Sequence, residues 1–148
     1  MFPVCMRYAG DRDLAEDVLQ DGFVTLFTRL DTYKGEGSFE GWARKIFVTT
    51  ALMNLRKKDA LKMSDDLEAA RSLKAETSSQ IQNLGYKELM NMIMELPAGF
   101  RTVFNLYAIE GYSHKEIGEM LGISETTSRT QLSRARISLQ NKIKEREN

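Results

Sequence analysis

The chain has 148 residues, 42% of them apolar, with 21 Lys and Arg against 21 Asp and Glu, one Cys and one His. That length allows one domain or two small ones, and no run approaches the roughly 18 apolar residues of a membrane span, so a cytoplasmic protein without a leader is expected. One Cys with one His leaves no disulfide framework and no ready zinc site, and neither a metal nor any other cofactor is expected.

The balanced charge hides a split. Residues 1–31 carry six acids (Asp11, Asp13, Glu16, Asp17, Asp21, Asp31) against three bases, whereas residues 129–148 carry six bases (Arg129, Arg134, Arg136, Lys142, Lys144, Arg146) against Glu145 and Glu147. Such asymmetry suggests two surfaces with different partners.

In chain order, residues 13–30, "DLAEDVLQDGFVTLFTRL", place Ala15, Val18, Leu19, Gly22, Phe23, Leu26, Phe27 and Leu30 at helical spacing, and that face is expected to be core. A second helix is expected over 39–58, with Trp42, Ile46, Thr50 and Met53 in phase. The two would form an antiparallel pair joined by "DTYKGEGSFEGW", a loop far richer in glycine and aromatic residues than a connector needs. Residues 59–84 lose the large aromatics and gain Ser, Asp, Glu and Gln, the composition of a flexible linker between two domains, 1–58 and 85–148. Beyond it, "YKELMNMIMEL" is periodic up to Pro97, another helix runs through "FRTVFNLYAIE", and Gly111 suits the left-handed position after a helix end. No strand pattern occurs, so the fold class is all-α.

The most specific local signal is "GYSHKEIGEMLGISETTSRTQLSRARISLQ". Ser113 with Glu116 has the form of a capping box, so a short helix should start there with Ile117 and Leu121 inward. Gly122 breaks it, Ser124 can cap the next helix, and Leu132, Ala135, Leu139 and Ile143 keep that helix apolar inside. A helix, a three-residue turn and a second helix make a helix-turn-helix, with Gly118 leaving room for the backbones to approach. The outer face carries Arg129, Thr130, Ser133 and Arg134, short hydrogen-bonders and arginines of the kind that read duplex DNA. A solvated basic face on an ordinary helical hairpin is the plainer alternative. His114 beside the capping serine reads as a phosphate neighbour or a solvent-exposed residue, and Cys5 as a small buried apolar one.

Taken together, the chain resembles the extracytoplasmic-function type of bacterial sigma factor, the promoter-specificity subunit of RNA polymerase. "AEDVLQDGF" resembles the helix that docks on the polymerase clamp, "YKGEGSFEGWARKI" the loop and helix that open the minus-ten element, and "ELPAGFRTVFNLYAIEGYSHKEIGEMLGIS" through "LSRAR" the domain that reads the minus-thirty-five element. The resemblance implies a non-catalytic protein whose partners are core RNA polymerase, promoter DNA in duplex and single-stranded form, and an anti-sigma factor that can hold it at the inner membrane; no small-molecule substrate is implied.

On that reading Glu16, Asp17, Gln20, Asp21 and Val24, which share an outward face, would meet a basic, partly apolar clamp. Gly35 and Gly37 let the loop approach a ligand, Lys34 offers a phosphate contact, and Tyr33, Phe39 and Trp42 offer faces for an extruded base. Phe39 and Trp42 could instead be core, since Trp42 is in phase with Ile46. The resemblance adds Lys45 and Thr49 to the minus-ten set. Thr49 stands where the family usually has an asparagine that helps hold the flipped base. Ser128 stands where the family usually has a valine, so weaker packing under the reading helix is expected. The chain also begins about one helix late against the family pattern, and a partly uncovered front core is expected. A stand-alone helix-turn-helix regulator would explain residues 85–148 alone, and a helical interaction adaptor would make the basic face incidental. An enzyme is least favoured, because no helix aligns paired carboxylates, a nucleophile with its base, or a phosphate loop.

Overall fold

The computed structural model describes residues 1–57 and 85–147, with helices joined by turns and no strand among them. They fall into two units, one within Met1–Ala60 and the other within Leu61–Asn148. The expected linker, 59–84, lies outside the described residues.

In the first unit α1 (Phe2–Ala9), α2 (Arg12–Thr28) and α3 (Phe39–Lys57) pack on one another, so the expected antiparallel pair is a three-helix arrangement. The opening stretch is too short to display a period, yet as α1 it buries Val4, Cys5, Tyr8 and Ala9. Gly10 at φ 74° takes the left-handed conformation that stops α1. Asp11 then caps α2, its carboxylate accepting from the Leu14 N–H at 3.1 Å.

The expected core face of α2 is too wide. Ala15, Val18, Gly22 and Leu26 are buried, whereas Phe23, Phe27 and Leu30 are exposed, Phe27 to 68%. The seam is built of small residues: at Gly22 a Cβ would run into the ring of Phe47, which is fully buried on α3. Helices brought that close bury a narrow stripe, and the large rings at its margin stay outside. Phe23 still meets Phe47 edge-on at 5.1 Å and stacks with Phe27 at 6.3 Å. α3 is packed by both neighbours and buries Ala43, Ile46, Phe47, Val48, Thr50, Ala51, Leu52 and Leu55, while Met53, expected inward, is exposed.

The second unit holds α4 (Tyr86–Met94), α5 (Ala98–Phe104), a π-helical turn over Asn105–Ile109, α6 (His114–Leu121) and α7 (Glu125–Glu147). Met92, Ile93, Leu96 and Phe100 pack against Ala135, Leu139 and Ile143, so the segment from α4 to the start of α5 is held on the second half of α7. Arg101 is buried and donates from Nη1 to the carbonyls of Met94 (2.9 Å) and Leu96 (3.0 Å), satisfying the orphan end of α4. The stretch read as one helix through Glu110 widens instead into the π turn, where the Glu110 N–H reaches back to Asn105 at 2.9 Å.

The helix-turn-helix forms as its local signals dictate. Ser113 Oγ accepts from the Glu116 N–H at 3.1 Å, and Glu116 Oε1 accepts from the Ser113 N–H at 3.3 Å. Gly122 ends α6 at φ 69°, and Ser124 Oγ caps α7 by accepting from the Thr127 N–H at 3.0 Å. A Cβ on Gly118 would lie 2.7 Å from the carbonyl oxygen of Ile123, so the turn closes directly over that glycine. Ile117 is buried as expected, whereas Leu121 is only half-buried.

Candidate nucleic-acid interface

The glycine-aromatic loop runs from the short 3-10 turn Leu30–Thr32 to the start of α3. Gly35 and Gly37 have φ of 75° and 72°, left-handed values that favour glycine. The Tyr33 hydroxyl donates to the Gly37 carbonyl at 2.8 Å, closing the loop on itself. The rings of Tyr33, Phe39 and Trp42 meet pairwise at centroid distances of 5.3, 5.3 and 5.5 Å. Ser38 Oγ, 2.9 Å from the Gly41 N–H, starts the helix that carries the last two rings.

Phe39 is 46% exposed and Trp42 half-buried, so neither is a plain core residue; they form an aromatic platform with Tyr33. Trp42, Lys45 and Thr49 follow at steps of three and four residues, which sets them on one side of α3, with Lys45 and Thr49 exposed. Lys34, Gly35 and Gly37 are exposed on the loop beside them. The arrangement offers flat apolar faces, a cation at either end and a hydroxyl, the parts that stack and hold an unpaired base.

On α2, Glu16, Asp17, Gln20, Asp21 and Val24 are all exposed, Val24 to 63%. Glu16 pairs with Arg12 at 3.0 Å, and the Asp21 carboxylate accepts a long contact, 3.4 Å, from the Asn54 amide. Phe23 and Phe27, read from periodicity as core, belong to this same surface, because residues 20, 23, 24 and 27 lie at steps of three and four. The face is therefore acidic at one end and aromatic at the other. The signal for this was the glycine at 22, which marks where the seam runs.

In the second unit Arg129 and Ser133 are exposed on the outer face of α7, and Thr130 and Arg134 are half-buried. Glu125 holds Arg129 from one turn earlier at 2.6 Å. The Thr130 hydroxyl donates back to the Thr126 carbonyl at 3.1 Å. Leu132, Ala135, Leu139 and Ile143 are buried as their spacing implies, but Ser128 and Gln131 are buried among them. Ser128 does not leave a loosened core: its Oγ lies 2.8 Å from Nδ1 of His114. Nor is His114 a solvent-exposed bystander, since it is half-buried and stacked on Tyr107 at 4.5 Å and 15°.

Desolvation, and then Arg129, hold the His114 imidazole below its usual 6.5, with Arg136 adding to the fall and Glu125 opposing it. The unfolded chain therefore takes up this proton first as pH drops, so stability is complete above about pH 6.5 and falls as pH descends through the folded value. As His114 is the chain's only histidine, its ring protons titrate alone by NMR. A midpoint below that of the urea-unfolded chain is expected; one at or above it would refute the depression. Cys5 is inert by contrast, since burial pushes its thiol up.

Two all-helical units are thus present, one offering an aromatic loop and the other a helix-turn-helix with a basic outer face. Residues 2–61 match Sigma-70 region 2, and residues 86–139 match Sigma-70, region 4. The extracytoplasmic-function (ECF) RNA polymerase sigma factor SigE of Mycolicibacterium smegmatis is 31% identical over 144 residues, covering 94% of this chain and 55% of the relative. The ECF RNA polymerase sigma-E factor of Haemophilus influenzae is 25% identical over 148 residues, covering 93% of this chain and 78% of the relative. The chain thus spans about half the length of the first relative and over three quarters of the second. In fold it is similar to the sigma factor RpoE of Bartonella quintana, solved with the anti-sigma factor NepR, at TM-score 0.59 and 19% identity over 97% of this chain and 89% of that one. CnrH, solved with the cytosolic domain of CnrY, gives TM-score 0.52 and 23% identity over 97% of this chain and 79% of that one. The chain belongs to the sigma-70 family, in its extracytoplasmic-function group.

Proposed function

We propose that this protein directs core RNA polymerase to specific promoters and assists strand opening at initiation, with no catalytic activity of its own. Residues 1–58 act as region 2 and 85–148 as region 4, joined by 59–84. The observation that carries this reading is the front unit, in which an acidic-aromatic face and a self-closed aromatic loop accompany a separate helix-turn-helix unit. A stand-alone regulator has no use for the first unit, and an adaptor has no use for the second. In this reading the α2 face binds the polymerase clamp, the loop with Lys45 and Thr49 takes the minus-ten element, and Arg129, Thr130, Ser133 and Arg134 take the minus-thirty-five element. The described residues hold no helix long and apolar enough to cross a membrane. The protein works in the cytoplasm, where an anti-sigma factor holds it off polymerase, at the inner membrane when that partner is anchored there.

The test is co-purification with core polymerase followed by run-off transcription from genomic fragments. Specific transcripts are expected only when the protein is added, and failure to bind core enzyme would overturn the reading. The clamp face has its own test. Asp17→Lys with Asp21→Lys places like charge against a basic clamp, which costs several kcal/mol, so affinity for core enzyme should fall about 100-fold while the helix content stays unchanged. Unaltered affinity in titrations of core enzyme would move the docking surface elsewhere.

A further inference from the structure

Ser128 is the odd residue on the inner side of the reading helix. It is 0% exposed in line with Leu132 and Ala135, yet it brings a hydroxyl into that face. A buried hydroxyl without a partner costs about 1–3 kcal/mol, and this one is met from another helix by His114 Nδ1 at 2.8 Å. The imidazole is itself held, stacked on Tyr107 of the π turn, and the Arg136 guanidinium lies 5.9 Å from the centre of the Tyr107 ring. The π turn, α6 and α7 therefore meet at one imidazole. The bond lands on the residue immediately before Arg129.

We propose that His114 is a positioning residue for base recognition: by holding Ser128 it fixes the rotation of the first turns of α7, and with it the aim of Arg129 and Thr130. The proposal rests on the reading of α7 as the helix that enters the DNA groove. The buried Leu132, Ala135, Leu139 and Ile143 anchor α7 from its second turn onward, while at its first turn the Ser124 cap and the closure of Ile123 over Gly118 determine where it starts. The cap and the closure grip its backbone end, close to its axis, and resist rotation poorly. The side-chain link acts off the axis, where it resists rotation, and it lies at the position next to Arg129, ahead of the apolar anchors. Arg129 is tied to Glu125 on the same helix, so its aim follows the helix. Base contacts tolerate misplacement of only about 0.5 Å or 10–20°, whereas a long cation meets a phosphate over a much wider range. Loss of the link should therefore relax base choice and leave charge-driven affinity in place. The link forms in either sense, hydroxyl to ring nitrogen or ring N–H to Oγ, so an asparagine amide at 114 can stand in for it.

The experiment uses the full chain assembled with core polymerase, a pool of duplexes randomised upstream, sequencing of the bound fraction, and one duplex of arbitrary sequence as a measure of unspecific affinity. His114→Ala should lose about tenfold enrichment at one or two adjoining positions while affinity for the arbitrary duplex stays within about twofold. His114→Asn should restore most of the enrichment, and adding His114→Ala to Arg129→Ala should cost nothing more at the shared position. If His114→Ala loses helix content, Ser128→Ala removes the same bond with a smaller change. Unchanged enrichment in these variants would overturn the proposal, as would an even loss at every position that His114→Asn does not repair. Absence of any motif with the unsubstituted chain would end the DNA-reading role of α7 itself, and this proposal with it.

Discussion

Gly22→Val is expected to unfold the first unit at clearly lower urea, and the double variant with Phe47→Ala to lose less stability than the two single losses added together. The glycine leaves room that the fully buried Phe47 ring fills, so a valine there must displace a ring with nowhere to go. Overpacking of this kind costs about 1–3 kcal/mol. Removing the ring instead opens a cavity, at about 3–5 kcal/mol for Phe→Ala. In the double variant the valine methyls occupy part of the cavity, so the combined loss should undercut the sum by at least about 1 kcal/mol. Trp42, the chain's only tryptophan, sits in this unit and reports its unfolding by fluorescence without interference from the other. Strictly additive losses would mean that the ring swings out and the seam does not depend on the glycine.

The same seam explains where the sequence was a poor guide. Helical spacing put seven residues of α2, and Leu30 just beyond it, on one face, but spacing cannot tell how wide a face its neighbours cover. Ala15, Val18 and Gly22 bring α3 close and leave Phe23 and Phe27 at the margin, where they extend the acidic face instead of the core. α1 was illegible for a different reason: eight residues give barely two turns, too few for a period. What was local was readable. The capping box of Ser113 and Glu116, the stop at Gly122, the cap at Ser124 and the inner stripe of α7 each depend on residues at most a few turns apart, and each forms as its spacing implies. The His114–Ser128 bond joins residues fourteen apart on two helices, and the π turn that brings Tyr107 to His114 has no sequence signature. Ser128 could be read only as a departure from valine, which suggested a weaker core. The structure gives it a partner instead.

The aromatic loop yields the other large expected effect. Phe39→Ala should leave duplex binding and folding nearly unchanged and impair promoter opening. The folding half of that expectation follows from exposure: a ring 46% open at the edge of its unit supports little core, and its neighbours Tyr33 and Trp42 still meet each other at 5.3 Å. The opening half follows from what an extruded base needs. Unstacking costs a few kcal/mol, and a preformed aromatic platform returns about 1–3 kcal/mol per stacked base, so losing one ring should reduce the opened fraction by about 5- to 150-fold. Tyr33→Phe is the matching control for preorganisation. It keeps the ring but loses the hydroxyl that closes the loop onto Gly37, and should give a smaller defect of the same kind. Permanganate reactivity of thymines near the start site, measured on the holoenzyme at saturating duplex, separates opening from binding. Normal reactivity in Phe39→Ala would show that the platform is structural and that bases are held elsewhere along α3. A fall in reactivity matched by an equal fall in thermal stability would mean that the ring acts through packing after all.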